Sequence, residues 1–426
     1  MKANLMKSFK KGAALLVVVF GVSFAMSSCS NEEGITPEGS TRAVTLITEN
    51  VTSNTTWSGE IELTKKIAVT NGATLTIQPG TKIYGQATGT STDATALIIT
   101  KGAKINAVGT PSQPIVMTAK NGQVGGWGGL VVLGKAPINQ SQPQYVEGIV
   151  VGSLPGVDIS YGGTDPNDNS GKLQYVRVEY AGATIGENNE LNSFTFGGVG
   201  AGTTVDHCQA YFGDDDGFEF FGGTVNAKYL VAIGTTDDSF DFDFGYTGKI
   251  QFAVSTVASS RLTSDPNGIE CDNDKTGSGA QPFTRPVLSN LTIIGSQSGA
   301  GLKSAANFRR NCQFELHNSI LYGFPTGILG QTSNSHVFKN NIVNAINTTY
   351  SGITADATNT AAASVAAIGL TFPWDGYKVV ANLRPNAAPA NTGANFSDLD
   401  SWFTTTTYRG AIAPSGANWL MQPWVR

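Results

Sequence analysis

The sequence has few charged residues, few cysteines and few histidines. Charged residues make up 14% of the chain, which contains 4 cysteines and 3 histidines. So few cysteines in a long chain argue against the disulfide framework that stabilises small secreted domains, and buried thiols are the simpler expectation. The three histidines, His207, His317 and His336, are far apart and no Cys-x-x-Cys occurs, which argues against a zinc site.

The chain also lacks an excess of positive charge. Its formal net charge is −5, and removal of residues 1–28 takes away four lysines and no acids, which leaves about −9. Proteins that bind nucleic acid need clustered Lys and Arg to neutralise phosphates. We therefore expect no nucleic-acid partner.

The N-terminus resembles an export signal. Four lysines within the first eleven residues precede the apolar stretch 13–25, which is shorter than the about 20 residues that a membrane span needs. Small residues then lead into Cys29, an arrangement that resembles the site cut by the lipoprotein signal peptidase. Residues 1–28 are thus predicted to be a lipoprotein signal peptide, with Cys29 as the acylated residue. The alternative is an ordinary secretory signal followed by an incidental cysteine.

The residues that follow Cys29 predict where the protein resides. The acidic segment 30–33 is similar to the surface-export tag of lipoproteins in the Bacteroidota, and residues 29–45 have the composition of a flexible tether. We expect a lipid-anchored protein of the outer membrane that faces the cell exterior. Its first partner would then be the membrane lipid, reached through Cys29.

The rest of the chain predicts short strands that recur at a fixed spacing. It contains 51 glycines, and helical periodicity is nearly absent. A large apolar residue after Gly or Ser recurs in steps of 22 to 33 residues, at Phe218, Phe240, Ile269, Leu302 and Ile328. A second column, eight to ten residues earlier, consists of Cys208, Tyr229, Leu291, Ser319 and Asn341, beside a polar row of His207, Asn290, Asn318 and Asn340. This period is typical of β-helix coils, which stack about 4.8 Å apart.

We therefore predict an all-β protein, a single-stranded right-handed parallel β-helix with N- and C-terminal caps. The β-helix is assigned to residues 46–350, with long loops at about 135–172. Residues 351–426 are predicted to form the C-terminal cap, with a short helix at 361–367 and an aromatic cover for the last coil from Trp402, Tyr408, Trp419 and Trp424. A β-helix needs such caps because its end coils otherwise expose unpaired strand edges.

Four strings carry a resemblance to a known family. They are WGGLVVLGKAPIN (127–139), DDGFEFFGGTV (215–225), DDSFDFDFGYTG (237–248) and TTYRGAI (406–412). They resemble a widespread family of secreted right-handed β-helix proteins with a pectate-lyase-like fold, which occur as lipoproteins in the Bacteroidota. The resemblance covers roughly residues 50–426 and implies the fold and the location. It implies no activity, because the family has no settled one and the fold serves many functions.

The most chemically suggestive feature is a predicted grid of acidic side chains. Strand alternation places residues i and i+2 on one side, so the outward positions of two successive coils carry Asp241, Asp243, Glu270 and Asp272, with Glu219 above and Lys303 below. The preceding turns add Asp214, Asp215, Asp216, Asp237 and Asp238. Two like charges at 4.8 Å repel by roughly 1 kcal/mol in water and about 3.5 kcal/mol at an effective dielectric constant of 20.

Three arrangements would relieve this repulsion: solvation of an exposed face, protonation of some carboxyls, or a bridging hard cation. Ca²⁺ takes six to eight oxygen ligands, which such a grid and nearby carbonyls can supply. Ca²⁺ is therefore the expected cofactor if the grid holds an ion, and solvated structural acids are the equal alternative. A catalytic carboxylate cluster is a third, less favoured reading.

Three functions follow from these features. The first is non-catalytic binding of a glycan or an outer-membrane protein by a calcium-braced β-helix. The second is a calcium-dependent enzyme acting on acidic polysaccharide, either a hydrolase or a lyase in which Lys303, Arg309 or Arg310 would abstract a proton. The third is an adhesive or structural spacer. For Lys303 in the acidic column, an ion pair that relieves the repulsion is favoured over a catalytic role.

Aromatic side chains offer weaker candidates for glycan contact. Phe221, Tyr246 and Trp127 could stack on sugar rings if they are exposed. Most phenylalanines of a β-helix are expected in the core instead.

Overall fold

The computed structural model describes residues 43–87, 94–186, 189–257, 266–296, 301–331, 336–371 and 383–426. The predicted signal peptide, Cys29 and all but the last residues of the predicted tether lie outside the described residues. Within those ranges, no helix combines the length and the apolar character that crossing a membrane requires.

Twenty-five strands join in one continuous parallel arrangement, in which each strand pairs with the strands of the coils before and after it. The chain coils as a right-handed parallel β-helix, so the predicted fold class is confirmed. The strands form three sheets along the coil axis, called sheets 1, 2 and 3 below. Four further strands form two small antiparallel hairpins in the loops between coils.

Sheet 1 is built from strands β4 (Ile67–Val69), β7 (Leu97–Ile99), β10 (Leu130–Leu133), β16 (Phe194–Val199), β18 (Phe218–Gly223), β20 (Phe240–Asp243), β22 (Ile269–Cys271) and β24 (Ser304–Phe308). Sheet 2 contains β2 (Thr55–Trp57), β5 (Thr74–Ile77), β8 (Lys104–Val108), β25 (Phe314–His317) and β27 (His336–Lys339). Sheet 3 contains β1 (Thr45–Ile47), β3 (Glu60–Leu63), β6 (Lys82–Gly85), β9 (Ile115–Ala119) and β29 (Thr360–Ala361).

Seven longer strands bend from one sheet into the next. Five pass from sheet 2 to sheet 3, namely β13 (Gly171–Glu179), β17 (Thr204–Tyr211), β19 (Asn226–Ile233), β21 (Lys249–Thr256) and β23 (Val287–Ile294). Two pass from sheet 3 to sheet 1, namely β26 (Ile320–Gly330) and β28 (Ile342–Ser351). The hairpin strands are β11 (Gln144–Tyr145) with β12 (Ser160–Tyr161), and β14 (Thr184–Gly186) with β15 (Asn189–Glu190).

In the part of the chain that the structure describes, helix is confined to two 3-10 turns, Ala366–Ile368 and Trp419–Met421. The helix predicted for residues 361–367 is therefore wrong. Its first residue ends β29, and the later turn stops at Gly369, which adopts a left-handed conformation with φ of 85°. An alanine-rich segment of this length is too short to hold a helix without packing that favours one.

From β13 onward, a single residue makes the bend between sheets 2 and 3 in each described coil, and it adopts positive φ. These residues are Tyr175, His207, Tyr229, Phe252, Asn290, Asn318 and Asn340, with φ between 50° and 61°. We call this row the bend ladder. The bend ladder confirms the predicted polar row. It also corrects the prediction that Tyr229 lies in the same column as Cys208, because the strand partner of Cys208 is Leu230. Tyr229 instead stacks on His207, with ring centroids 4.3 Å apart.

The interior is filled by side chains that stack from coil to coil. Phe218 lies between Phe194 and Phe240, with ring centroids 4.7 and 5.6 Å away. Phe220 stacks in the same way on Phe242, at 5.4 Å. These rings and Ile269 are fully buried, as strand alternation predicts for the inward face of sheet 1.

The C-terminal segment lies in a different place from the predicted one. Trp424, Leu420 and Ile412 pack against outward-facing residues of sheet 3, including Val231 and Ile294. Residues 383–426 thus cover a flank of the coil, and the aromatic cover predicted for the last coil was wrong for this part of the chain. Packing there buries outward apolar side chains of sheet 3 that would otherwise face water.

Candidate functional site

The outward face of sheet 1 carries a column of acidic residues. Glu219 pairs with Asp241, and Asp241 pairs with Glu270, in three successive coils. We call these three residues the acidic column; Thr195 continues it upward as the partner of Glu219. Because neighbouring strands lie about 4.8 Å apart, three carboxyl groups are stacked directly on one another, as predicted.

The predicted position of Lys303 is wrong. The strand partner of Glu270 in the next coil is Asn307, four residues further along the chain. Lys303 precedes β24, and its backbone amide donates to the carbonyl of Pro266. The register was predicted by aligning each large apolar residue that follows a glycine. That rule fails in this coil, because the residues beside Gly268 and Ile269 are the small Ala305 and Ala306.

A long segment between β10 and β13, residues 134–170, lies over the acidic column and is called the covering loop. It confirms the predicted loop at 135–172. Its apolar residues, among them Val146, Ile159 and Tyr161, pack on Leu133 and Phe221 of sheet 1. Two residues of the acidic column are buried as a result, Glu219 with 4% and Glu270 with 7% exposure, and Asp241 between them is half-buried. Full solvation of an exposed face therefore does not relieve the repulsion here.

The covering loop approaches sheet 1 closely, and glycine permits this contact. Gly222 has φ of 67°, and a Cβ atom there would lie 2.5 Å from Ile138 Cγ2 and 2.7 Å from the carbonyl oxygen of Phe244. Nearby, the amide of Asn139 donates to the same carbonyl oxygen at 2.9 Å. Any larger residue at 222 would push the loop away from the site.

A pocket of about 340 Å³ lies between the covering loop and sheet 1. Its lining is Gln144, Tyr145, Val146 and Glu147 from the loop, Glu219, Phe221, Asp241, Asp243 and Phe244 from the sheet and its ends, and Glu270, Asp272, Lys275, Arg309 and Arg310 from the following coils. Six of these side chains are acidic and three are basic, so the pocket is negative when every carboxyl group is ionised.

The lower end of the pocket is neutralised by arginine. Arg309 forms ion pairs with Glu270 and, at 2.9 Å, with Asp272. Arg310 pairs with Asp272 at 2.7 Å. Asn307 also donates to Glu270 Oε1, at 3.1 Å. Both carboxylates therefore have charged partners, and burial of such a pair is tolerated only with this degree of compensation.

The upper end of the acidic column, where Glu219 and Asp241 line the pocket and Asp216 adjoins them, contrasts with the lower end. One carboxylate oxygen of each of Asp216, Glu219 and Asp241 lies within 4.8 Å of the others. Asn192 donates to Glu219, and the amide of Asp238 donates to Asp216 at 2.8 Å. Within the described ranges, no Lys or Arg lies at ion-pair distance from these three carboxylates.

Two polar atoms at this upper end are shielded from solvent and have no hydrogen-bond partner. They are Oδ1 of Asp241 and Oγ1 of Thr195, whose residue is 1% exposed. Unsatisfied buried polar atoms are uncommon because each costs about 1–3 kcal/mol. Both belong to the same outward column as Glu219, and Oδ1 of Asn307, at the lower end of that column, likewise has no partner.

A second acidic group adjoins the first. Asp215, Asp216 and Asp237 also have carboxylate oxygens within 4.8 Å of one another, so Asp216 belongs to both groups. Asp238 is buried and accepts a hydrogen bond from the amide of Asn267. Asp243 accepts from the amide of Phe244 at 2.6 Å. Apart from Asp214, the acidic residues of the predicted grid and of its preceding turns thus lie in or beside one region.

Burial is the main cause of the altered acidity of these groups. It raises the pKa of Asp241 to about 7, with a further contribution from Asp272, and that of Glu270 to about 8, with a contribution from Asp241. Burial likewise raises the pKa of Glu147 to about 7. The pKa values of five further carboxyls are raised well above their usual range, again chiefly by burial: Asp215, Asp216, Glu219, Asp238 and Asp243.

Two of the three aromatic candidates for glycan stacking were wrong. Trp127 is fully buried and its indole N–H donates to the carbonyl oxygen of Glu179 at 2.9 Å. Tyr246 is also fully buried, and its hydroxyl donates to the carbonyl oxygen of Val225 at 2.8 Å. Phe221 lines the pocket but is 5% exposed and packs on Tyr161.

Sequence reasoning missed several residues of the pocket. Glu147 and Lys275 come from loops whose side-chain directions no periodic pattern predicts. Asn307 was hidden by the wrong register of β24. Thr195 could have been predicted from the sequence. It lies just before the Gly-rich segment 197–202, between two phenylalanines as Glu219 is, and so occupies the same outward position on its strand.

The family model described as "Pectate-lyase like beta helix domain" matches residues 46–407. Neither the curated proteins nor the solved structures contain a match to this chain.

Proposed function

Since the chain belongs to the family of pectate-lyase-like β-helix domains, we propose that it binds a hard divalent cation of the Ca²⁺ type between Asp216, Glu219 and Asp241. We further propose that the cation-loaded pocket binds an acidic glycan without cleaving it. The observation that carries the proposal is the set of three carboxylates within 4.8 Å of one another. Asp216 and Glu219 are buried, and Asp241 is half-buried with an Oδ1 atom that is shielded from solvent and has no hydrogen-bond partner.

The spacing of these oxygens suits one shared ion. Ligand oxygens lie about 2.3–2.6 Å from Ca²⁺, so two ligands of the same ion are at most about 4.6–5.2 Å apart. The separation of up to 4.8 Å between the three carboxylates falls inside this limit. The donor set consists of carboxylates and a nearby hydroxyl, which hard cations prefer over the nitrogen and sulfur ligands of zinc.

The electrostatics of the pocket support the same position. Glu270 and Asp272 already have Arg309 and Arg310 as partners, so the ion is assigned to the upper end. A divalent cation there would offset the burial and the mutual repulsion that raise the pKa values of these carboxyls. Asp243 and the group around Asp215 would supply further oxygens, either directly or through water.

Glycan binding is supported by the mixture of charges at the pocket opening. Arg310 has a side chain that is 43% exposed, and Lys275 is exposed and lines the same pocket. A uronate carboxylate could contact the cation and one of these basic groups at once. A purely acidic pocket would repel such a ligand.

Cleavage by β-elimination is disfavoured because Arg309 and Arg310, two of the candidate bases, are held in ion pairs. The ion pairs with Asp272 and Glu270 raise the pKa of Arg309 further above its already high value. A guanidinium held in this way is a poor proton acceptor at neutral pH. Arg310 is likewise paired with Asp272, and Lys303 does not occupy the predicted column.

A hydrolase remains the second candidate, and one observation favours it. Glu147 in the covering loop and Asp241 in sheet 1 line the same pocket from opposite sides, and burial raises the pKa of each to about 7. Two carboxyls that titrate near neutral pH are suited to act as an acid and a base.

Calorimetric titration of the purified protein with CaCl2 and with MgCl2, at pH 8 after EDTA treatment, tests the cation. We expect Ca²⁺ to bind and to raise the melting temperature. Glu219→Gln should weaken Ca²⁺ binding at least tenfold, whereas Asp400→Asn, which removes an exposed partner of Lys249, should leave it unchanged. Equal affinity in wild type and Glu219→Gln would disprove the site.

Incubation of the Ca²⁺-loaded protein with polygalacturonate and alginate tests the glycan and the absence of cleavage. Retention of the polymer, lost in EDTA, with no new reducing ends and no absorbance gain at 235 nm, is the expected result. New reducing ends that disappear in Glu147→Gln would replace binding with hydrolysis. A gain at 235 nm would replace it with elimination.

We also propose that the protein is attached to the outer membrane by a lipid on Cys29 and faces the cell exterior. The support is the order of basic, apolar and small residues before Cys29 and the acidic residues after it. Labelling with radioactive palmitate should mark the wild-type protein and not Cys29→Ser. Protease treatment of intact cells should then digest the labelled protein, and complete protection would exclude the outward orientation.

A further inference from the structure

We propose that Cys271 and Cys312 form a disulfide bond that ties the last strand residue before Asp272 to the turn that follows Arg309 and Arg310. This goes beyond the proposed function, because the bond does not depend on the cation. The two residues lie in different coils and far apart in the sequence.

The two cysteines meet in the interior behind the pocket. Both are fully buried and belong to the same hydrophobic core. Both are thiols in the structure, and Cys271 Sγ lies 3.9 Å from the carbonyl oxygen of Gln313, the residue that follows Cys312. The Cys312 side chain adjoins that of Cys271. Adjoining thiols form a disulfide bond when their Cβ atoms approach to about 3.8 Å.

The backbone around the pair is fixed by hydrogen bonds. The amide of Arg309 donates to the carbonyl oxygen of Cys271 at 3.0 Å, and the amide of Cys312 donates to the carbonyl oxygen of Arg309 at 3.1 Å. Cys271 lies beside Phe308 in the sheet register. The third described cysteine, Cys208, hydrogen-bonds to backbone carbonyls of Leu173 and Asp206 and takes no part in the pair.

The bond has a direct consequence for the pocket. Asp272 follows Cys271, and the arginines that neutralise it precede Cys312 by two and three residues. A covalent link between the two cysteines would therefore hold the ion-paired end of the pocket at a fixed width. It would also join two adjacent coils of the solenoid.

The chemistry requires an oxidant, and we assign it to a protein or glutathione disulfide. One cysteine thiolate attacks a sulfur of that disulfide, forms a mixed disulfide and releases one thiol. The second cysteine thiolate then attacks the mixed disulfide, forms the Cys271–Cys312 bond and releases the second thiol. The pair loses two protons and two electrons, and the external disulfide becomes two thiols. Because both sulfurs are buried, the exchange occurs before the coils close.

Refolding of the reduced, unfolded chain in a mixture of oxidised and reduced glutathione tests the bond. After denaturing alkylation without reductant and digestion with trypsin, we expect the peptides that contain Cys271 and Cys312 to be cross-linked, with a mass 2 Da below their sum. Reduction should release them. The oxidised protein should melt on the order of 5 °C higher than the reduced protein.

Single variants provide the controls. Cys208→Ser should form the same cross-link, whereas Cys312→Ser should leave Cys271 as a thiol or a glutathione adduct. If the folded wild-type protein yields both peptides alkylated or linked to glutathione, the proposal is wrong. A cross-link of either cysteine to Cys208 would also overturn it. The peptide analysis reads the bond itself, so loss of stability in a variant does not obscure the result.

Discussion

The bend ladder and the outward face of sheet 1 both stack like side chains from coil to coil. The stacked side chains attract one another on the bend ladder and repel one another on sheet 1. On the bend ladder, His207 stacks on Tyr229 and Tyr229 stacks on Phe252, with ring centroids 4.3 and 5.1 Å apart. On sheet 1, Glu219 and Asp241 are stacked at a similar spacing. Neutral rings and amides attract one another at this distance, whereas carboxylates repel.

The two flanks also differ in how they are covered. The C-terminal segment satisfies the bend ladder: Asn290 donates to the carbonyl oxygens of Tyr408 and Gly410, and Trp424 lies edge-on to His207, with centroids 5.4 Å apart. The covering loop instead brings Glu147, a further acid, to the pocket of the acidic column. One flank is therefore arranged for stability, and the other retains an unfavourable arrangement that a ligand would relieve.

The largest effect should come from removing the cover of the bend ladder. Trp424→Ala deletes a fully buried indole that packs on His207 and Tyr175, and should lower the free energy of unfolding by about 3–5 kcal/mol. Chemical denaturation followed by circular dichroism measures this. Trp402→Ala is the matched control, because Trp402 is partly exposed over Lys228 and should matter far less. Equal losses for both tryptophans would show that the flank needs no specific cover.

The acidic flank should make stability depend on pH in the absence of metal. Since the folded-state pKa values of Asp241 and Glu270 are raised to about 7 and about 8, the folded protein binds more protons than the unfolded chain between pH 5 and 8. Stability in EDTA should therefore fall as pH rises across that window, by up to about 6 kcal/mol if both shifts are fully expressed, and be greatest near pH 5. Denaturation midpoints at several pH values measure it, and a flat or rising profile would contradict the raised pKa values.

Substitution in the acidic column should stabilise the metal-free protein. Asp241→Asn removes one buried charge and should raise the free energy of unfolding in EDTA at pH 8 by about 2 kcal/mol. Asp274→Asn is the control of opposite sign, because hydrogen bonds from Ser278 and Thr276 lower the pKa of Asp274 to about 2 and stabilise its charged form. Melting temperatures of both variants test this. Destabilisation by Asp241→Asn would show that the charge of the acidic column does not destabilise the metal-free protein.

A smaller loss is expected from one rung of the bend ladder. The Asn318 side chain donates to Ser289 Oγ at 3.2 Å and to the carbonyl oxygen of Asn395 at 3.0 Å, and accepts from the amide of Asn395 at 2.8 Å. Asn318→Ala should cost about 1–2 kcal/mol, measured by chemical denaturation. Asn318→Gly separates the causes, because glycine tolerates the φ of 52°. Full stability of Asn318→Gly would mean that the hydrogen bonds contribute nothing.

Prediction from the sequence succeeded where a large side chain marks the coil. Phe218, Phe240 and Ile269 are one inward column, and the acidic column follows from their register by alternation. The same reasoning failed in the next coil, where Ala305 and Ala306 fill the inward positions and Leu302 was mistaken for the mark. A small residue leaves no trace in a hydrophobic pattern, so the register could not be found there.

The sequence alone determined the β-helix and the stacking of Glu219, Asp241 and Glu270, because both depend on a side-chain period of two and on a coil length that repeats. The tertiary structure decided what lies against that stack: the covering loop with Glu147, the ion pairs of Arg309 and Arg310 with Asp272, and the side chains of Cys271 and Cys312 beside each other. These contacts depend on loops whose direction is set by packing on distant coils. No local pattern records that packing.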